Sequence, residues 1–200
     1  PGKYELSQPF LIERLINYVE DGVELDLNAK ETPTPVGKPL LHKDESGKSR
    51  KHSWNYRTAV GMSGYLQGST RPEISMASHQ CARFVHDPKR SHERAMIRLV
   101  RYLKSTKQRG IIYEPKPELG LECFVDADFA GGWTQADADN AEQVMSRTGF
   151  VIRYAGCPIG WSSKLQSESE IALSTAEAEY IALSQALREV IPLMTLLQEL

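Results

Sequence analysis

The sequence predicts an α/β protein, α+β over these 200 residues, with a helical first half followed by a three-stranded antiparallel meander and one packed helix. Three observations predict it. Apolar residues recur at three- and four-residue steps in segments between residues 7 and 106, the period changes to two after Gly110, and a helix-start signal at Ser174 follows the last β-rich run. With 40% hydrophobic residues the chain can build a core for one large domain or two small ones, which excludes disordered and fibrous classes. Apolar runs such as Ile111-Ile112 and Leu196-Leu197 are short, well under the roughly 20 residues of a membrane-spanning helix, so no membrane partner is expected.

In the first half, Leu11, Leu15, Tyr18 and Val19 mark a short helix from Ser7 to Glu20, with Ser7 placed to cap it and Pro9 tolerated in its first turn. From Lys30 to Ser53 prolines, glycines and charges follow one another without a period, which reads as a mobile loop or linker. Helical patterning returns at Trp54 to Leu66 and at Ile74 to Val85, separated by Gly68 to Pro72. A basic helix then runs from Ser91, its expected N-cap, to Thr106. Ala95, Leu99, Val100 and Leu103 form its apolar stripe, while Arg90, Arg94, Arg98 and Arg101 share another face.

Charge is divided unevenly along the chain. Residues 1–109 carry 19 Lys/Arg against 12 Asp/Glu, and residues 110–200 carry 5 against 14. Between Lys89 and Arg109 stand eight Lys/Arg and one acid, Glu93. A solvated helix surface normally mixes both signs. The one-sign row at Arg94, Arg98, Arg101, Lys104 and Lys107 therefore reads as a surface that tracks a nucleic-acid backbone without reading its bases.

In the second half Leu121, Cys123 and Val125 alternate with Glu122, Phe124 and Asp126, giving a strand. After a polar excursion, Thr148 to Tyr154 and Pro158 to Ser163 form two further strands, joined by a turn at Ala155-Gly156-Cys157. Ser174 and Glu177 form a capping box for the last helix, which Pro192 should kink or divide. Ala176, Glu179, Leu183, Ala186 and Val190 follow helical spacing, so Glu179 falls on the stripe expected to face the core. An acid near a helix N-terminus can simply favour the helix dipole. If the Asp126 strand lies beneath this helix, however, two carboxylates converge, and such hard oxygen ligands suit Mg²⁺ or Mn²⁺.

Other chemistries lack their residues. Cys81, Cys123 and Cys157 are scattered and odd in number, which fits a reducing, intracellular compartment rather than a disulfide framework. His79, Cys81, His86 and His92 lack the paired spacing of a zinc site. Asp126-Ala127-Asp128 is not continued as a calcium loop, and no phosphate-binding glycine loop, G-x-S-x-G elbow or H-E-x-x-H helix occurs. The start, Pro1-Gly2-Lys3, reads as cut from a longer chain.

The runs Phe124 to Gly131, Gly149-Phe150-Val151, Pro158 to Lys164 and Ala172 to Leu183 resemble the beginning of the ribonuclease H domain in copia-like LTR retrotransposon polyproteins. Upstream, Tyr56-Arg57, Val60-Gly61, Tyr65-Leu66, Thr70-Arg71-Pro72, Phe84, Pro88, His92, Arg101 to Lys104 and Thr106 resemble the region after the polymerase palm. The resemblance implies a thumb or connection segment over residues 1–109 and the N-terminal half of a ribonuclease H-like domain over residues 110–200. It also implies Asp126 and Glu179 as catalytic metal ligands for Mg²⁺ (or Mn²⁺), with Asp128 and Glu177 outside that role. The implied partners are template-primer, an RNA–DNA hybrid and the rest of the Pol polyprotein, in a cytoplasmic virus-like particle or the nucleus. Phe129 and Glu73 depart from the family's usual Trp and Asp, and Thr134 to Val144 is long and acidic. The polymerase Asp-Asp pair and a third ribonuclease H aspartate are expected before Pro1 and after Leu200.

Overall fold

A computed structural model describes residues 2–20, 28–36, 41–131, 133, 135, 144–167 and 171–199. The elements are β1 (Tyr4–Leu6), α1 (Pro9–Glu20), α2 (Tyr56–Ser69), α3 (Ser75–Ala82), α4 (Arg90–Ser105), β2 (Ile111–Tyr113), β3 (Leu121–Asp128), β4 (Arg147–Tyr154), β5 (Cys157–Leu165) and α5 (Thr175–Glu199). β1 pairs with β2, while β3, β4 and β5 form an antiparallel sheet in that order. The chain divides into two compact units, residues 6–111 and residues 1–5 with 112–200.

The first unit packs α1 to α4 around one core. Ile12, Leu15, Ile16 and Val19 of α1 meet Ala59 and Leu66 of α2, Ala77 and Cys81 of α3, and Met96, Leu99, Val100 and Leu103 of α4. Asn55 caps α2 by accepting the Thr58 N–H at 3.2 Å. The α4 helix begins at Arg90, not after a Ser91 cap: Ser91 Oγ instead donates to Asp44 at 2.8 Å, and the Lys89 N–H donates to His92 Nδ1 at 2.9 Å.

A buried cation joins three of these helical segments. Arg71, 1% exposed, donates to Glu73 at 2.7 Å and to the carbonyl and hydroxyl oxygens of Thr106 at 3.2 and 2.6 Å. Thr106 is the C-cap of α4, where the helix dipole favours positive charge. Gly110 permits the chain to pass close beside the end of β1, because a Cβ there would lie 2.2 Å from the Leu6 carbonyl oxygen.

The segment expected as a loop lacks regular structure over residues 28–36 and 41–53, apart from a bridge between Ser49 and Lys89, yet it is tied to α4 at several points. Arg98 donates to Thr32 at 2.9 Å, Ser105 to the Lys30 carbonyl at 2.9 Å, and His92 Nε2 to the His42 carbonyl at 2.9 Å. Glu93, 1% exposed, accepts the backbone N–H groups of Lys51 and His52 at 2.9 and 3.1 Å and faces Arg50 at 3.3 Å. Residues 37–40 lie outside the described residues.

In the second unit, β4 and β5 are joined by Ala155-Gly156 alone, with φ of 50° and 78°. Positive φ at both positions is the signature of a tight hairpin turn that matches strand twist. Cys157, expected in the turn, already pairs with Tyr154. Ser174 Oγ accepts the Glu177 N–H at 3.2 Å and the Glu177 carboxylate accepts the Leu173 N–H at 2.7 Å, a capping box shifted by one residue.

Two expectations about α5 are corrected. It is a single assigned helix through Pro192, not divided there. Its buried stripe is Ala178, Ala182, Ala186 and Val190, not the one running through Ala176 and Leu183, both of which are exposed. The helix is apolar on two sides, so spacing alone could not choose between them. Small residues won because they let the helix approach the sheet, where Phe150, Ile152, Leu121 and Val125 meet Ala186 and Val190. By length and a mean hydropathy of 1.2, α5 is also the one described helix apolar enough to cross a membrane, which short runs did not reveal.

Among the described residues β3 is an edge strand, paired with β4 and with nothing on its other side. An open edge of eight residues is a template for another strand. Sedimentation velocity on the isolated chain should therefore show concentration-dependent association, and a monodisperse monomer would exclude it. Replacing Arg71 with Met strands Thr106 and Glu73 and should lower stability by about 2–4 kcal/mol in urea denaturation.

Candidate nucleic-acid interface and acidic site

The α4 helix shows opposite chemistry on its two sides. His92, Glu93, Met96, Leu99, Val100 and Leu103 point inward, which leaves Arg94 exposed and Arg98 and Arg101 half-buried on the outer face. These three arginines, with Lys30, line a cleft of about 610 Å³ whose apolar lining includes Leu41, Met76, Ala77 and Ile97. Among the described residues no carboxylate lines it.

The row expected to be continuous is split. Lys104 pairs with Glu20 at 3.0 Å and Lys107 with Glu13 at 2.6 Å, both acids on α1. Exposed pairs of this kind contribute at most about 1 kcal/mol and can exchange partners. Among the described residues no acid pairs with Arg94, Arg98 or Arg101.

His92 is held neutral by geometry and burial. Its Nδ1 accepts the Lys89 N–H while Nε2 donates to His42, and its ring stacks on Phe84 at 4.1 Å between centroids. Desolvation is the largest influence and pushes its pKa below the usual histidine value of 6.5. Cys81 is fully enclosed, and burial raises its thiol to about 12, far from the range of a reactive thiolate.

The acids of the second unit sit on elements that pack together, since α5 lies against β3 and β4. Asp126 pairs in register with Gly149. Strand alternation places it on the face shared with Phe124, opposite Val125, whose side joins the core under α5. Asp126 is exposed; Glu179 is half-buried in the first turns of α5, one position after the buried Ala178. Glu179 belongs to the helix on the other face, so the two carboxylates expected to converge do not share one side of the sheet. Asp128 is exposed on the same face as Asp126, and Glu177 is engaged in the helix cap. Glu170 and nearly all of the acidic loop from Thr134 to Val144 fall outside the described residues.

The two acids are hard oxygen donors of the kind Mg²⁺ takes, yet an ion of this type is normally six-coordinate. Among the described residues, no group of three or more His, Cys, Asp or Glu comes together to hold a metal ion. Asp126 and Glu179 by themselves do not make a coordination sphere of that kind.

The retrovirus-related Pol polyprotein from transposon TNT 1-94 of Nicotiana tabacum is 36% identical over 99% of this chain. That from transposon RE1 of Arabidopsis thaliana is 32% identical over 87% of it. The chain belongs to the copia-type retrotransposon Pol polyproteins. It spans 14% and 11% of the lengths of these two Pol relatives. Secreted RxLR effector protein 161 of Plasmopara viticola is 35% identical over 68% of the chain, which covers 89% of that protein. No family model and no solved structure matches.

Within this Pol segment, the upstream motif residues are mostly structural. Tyr56 donates to the Cys81 carbonyl at 3.1 Å, Arg71 closes the end of α4, and Phe84 stacks on His92. Sequence reading missed Gln80, which lines the arginine cleft while 2% exposed. A glutamine in a short helix carries no signal of such a place.

The His92 environment sets a pH dependence. The unfolded imidazole titrates near 6.5 and the folded one lower, so between those values the unfolded chain binds more protons and stability falls as pH drops. The urea midpoint should decline as pH falls below about 6.5, and His92→Asn should flatten that part of the profile.

Proposed function

We propose that this chain joins the thumb or connection segment of a retrotransposon reverse transcriptase, over the first unit, to the N-terminal half of its ribonuclease H domain, over the second. The parent Pol polyprotein is then an RNA-directed DNA polymerase with ribonuclease H, and the partners of this segment are template-primer and RNA–DNA hybrid. What supports the reading above all is the order of elements in the second unit: an antiparallel β3-β4-β5 meander with an acid on β3, followed by a helix packed on that sheet with an acid in its first turns.

In this reading Arg94, Arg98 and Arg101 neutralise backbone phosphates, with Lys104 and Lys107 joining when they leave their α1 acids. In the longer Pol chain Asp126 and Glu179 would each supply carboxylate oxygens to a divalent-cation site, Asp126 from the exposed face of β3 and Glu179 from the first turns of α5. Mg²⁺ or Mn²⁺ bound there would activate water and stabilise the leaving oxygen of a phosphodiester. Two acids leave that coordination incomplete, so cleavage belongs to the longer Pol chain and the isolated segment binds without cutting.

Two measurements test this. In a Pol chain extended through the ribonuclease H domain, Asp126→Asn and Glu179→Gln should each abolish Mg²⁺-dependent cutting of the RNA strand of a hybrid; undiminished cutting by either variant refutes its role. In the isolated chain, replacing Arg94, Arg98 and Arg101 with Gln should reduce the magnitude of the salt-dependence slope of hybrid binding by about 3.

A second reading is a nucleic-acid-binding module without catalysis. It is favoured by the secreted effector of Plasmopara viticola, most of whose length corresponds to part of this segment. Hybrid affinity that falls steeply with salt, with no Mg²⁺-dependent cutting by the extended chain, would select it.

A further inference from the structure

The cleft beside α4 is short of acceptors. Gln80 is 2% exposed, and its Nε2 amide is buried without a hydrogen-bond partner among the described residues, while its Oε1 accepts from Arg83 at 3.3 Å. The Nε–H groups of Arg98 and Arg101 are likewise buried and unpartnered. Three lining residues therefore hold donors that lack an acceptor, in a cleft with four cationic side chains and, among the described residues, no lining acid. A buried donor left without an acceptor costs on the order of 1–3 kcal/mol, so a recurring excess of donors marks a place for an acceptor-rich anion.

The rest of the lining narrows the chemistry. Leu41, Met76, Ala77 and Ile97 make part of the wall apolar, which a bare phosphate ion would not use. The volume of about 610 Å³ falls within the roughly 300–1,000 Å³ of small-ligand sites. The Lys30 to Pro35 segment, tied to α4 through Thr32 and Arg98, forms another wall, so Arg98 and Arg101 line a partly walled cleft as well as the outer face of α4. A duplex can lie along an open face, whereas only a single residue of a strand enters a cleft of this kind.

We propose that this cleft binds one nucleotide unit of single-stranded nucleic acid, its phosphate on the Arg98 and Arg101 guanidinium groups and its base on the apolar wall, with the Gln80 amide donating to a base carbonyl. The proposal rests on the reading of α4 as a nucleic-acid-binding helix and adds a strand-level specificity to it. The unit is either a free nucleotide or a residue within a strand, and both present the same phosphate and base.

Thermal melting of the wild-type chain with thymidine monophosphate, thymidine and inorganic phosphate tests the site without any substitution. Thymidine monophosphate should raise the midpoint, with little effect from the other two at equal concentration. Fluorescence anisotropy of labelled oligothymidylate then separates the sources: competition by thymidine monophosphate places both in the cleft. Gln80→Leu and the isosteric Gln80→Glu, each confirmed folded by circular dichroism, should weaken oligothymidylate binding roughly tenfold or more. Gln80→Leu, which leaves every charge in place, should not change the salt-dependent affinity for RNA–DNA hybrid. If thymidine monophosphate stabilises no better than inorganic phosphate, or folded Gln80 variants bind oligothymidylate as the wild type does, the nucleotide site is refuted. Intact hybrid binding in that case leaves the backbone-tracking function of α4 standing. Loss of hybrid affinity in Gln80→Leu equal to the loss for single strands would also refute strand-level specificity.

Discussion

A guanidinium almost without solvent contact is costly unless its charge and donors are met, and Arg71 meets them by reaching across the first unit. It leaves the chain just after α2, pairs with Glu73 at the start of the next turn, and ends on Thr106 beyond α4. Tyr102, 5.8 Å below the guanidinium, also donates to Glu73 at 3.3 Å. The end of α4 is thereby fixed to the α2–α3 junction. The arginine row, the lysines beside α1 and the cleft all take their positions from α4, so each depends on this buried contact.

Along α4 itself, polar residues serve two different ends. Glu93 and His92 turn inward and hold the irregular chain of residues 42–52, using every strong hydrogen-bonding atom the imidazole has. Arg94, Arg98 and Arg101 turn outward, two of them beneath the Lys30 to Pro35 segment. One helix therefore both organises a strand of chain without regular structure and presents cations in a defined cleft. A helix whose polar residues were all solvated would do neither.

The second unit is governed by close approach. Alanines at 178, 182 and 186 bring α5 down onto the sheet, which leaves Tyr180, Leu183, Leu187 and Ile191 exposed. Across the sheet, Phe124 and Val151 are also exposed, and β3 has an open edge. Asp126 lies on the uncovered Phe124 face and Glu179 on the helix side, so the two acids border different exposed surfaces.

Local order was legible wherever the chain's own period creates it: the meander, the helical stretch after Trp54, the helix start at Ser174, and the basic face of α4 all follow from nearest-neighbour geometry. Motif resemblance, not spacing, is what singled out Asp126 and Glu179, because spacing alone gives a carboxylate near a helix start many uses. Tertiary structure decided the rest. It tied the aperiodic residues 28–36 and 41–53 to α4 through contacts 41 to 75 residues apart, engaged Lys104 and Lys107 with acids of α1, chose the alanine side of α5, and brought Gln80 beside the arginines. Periodicity reports which side of an element is apolar, but which partner meets that side depends on chain distant in sequence, and no local pattern carries that information.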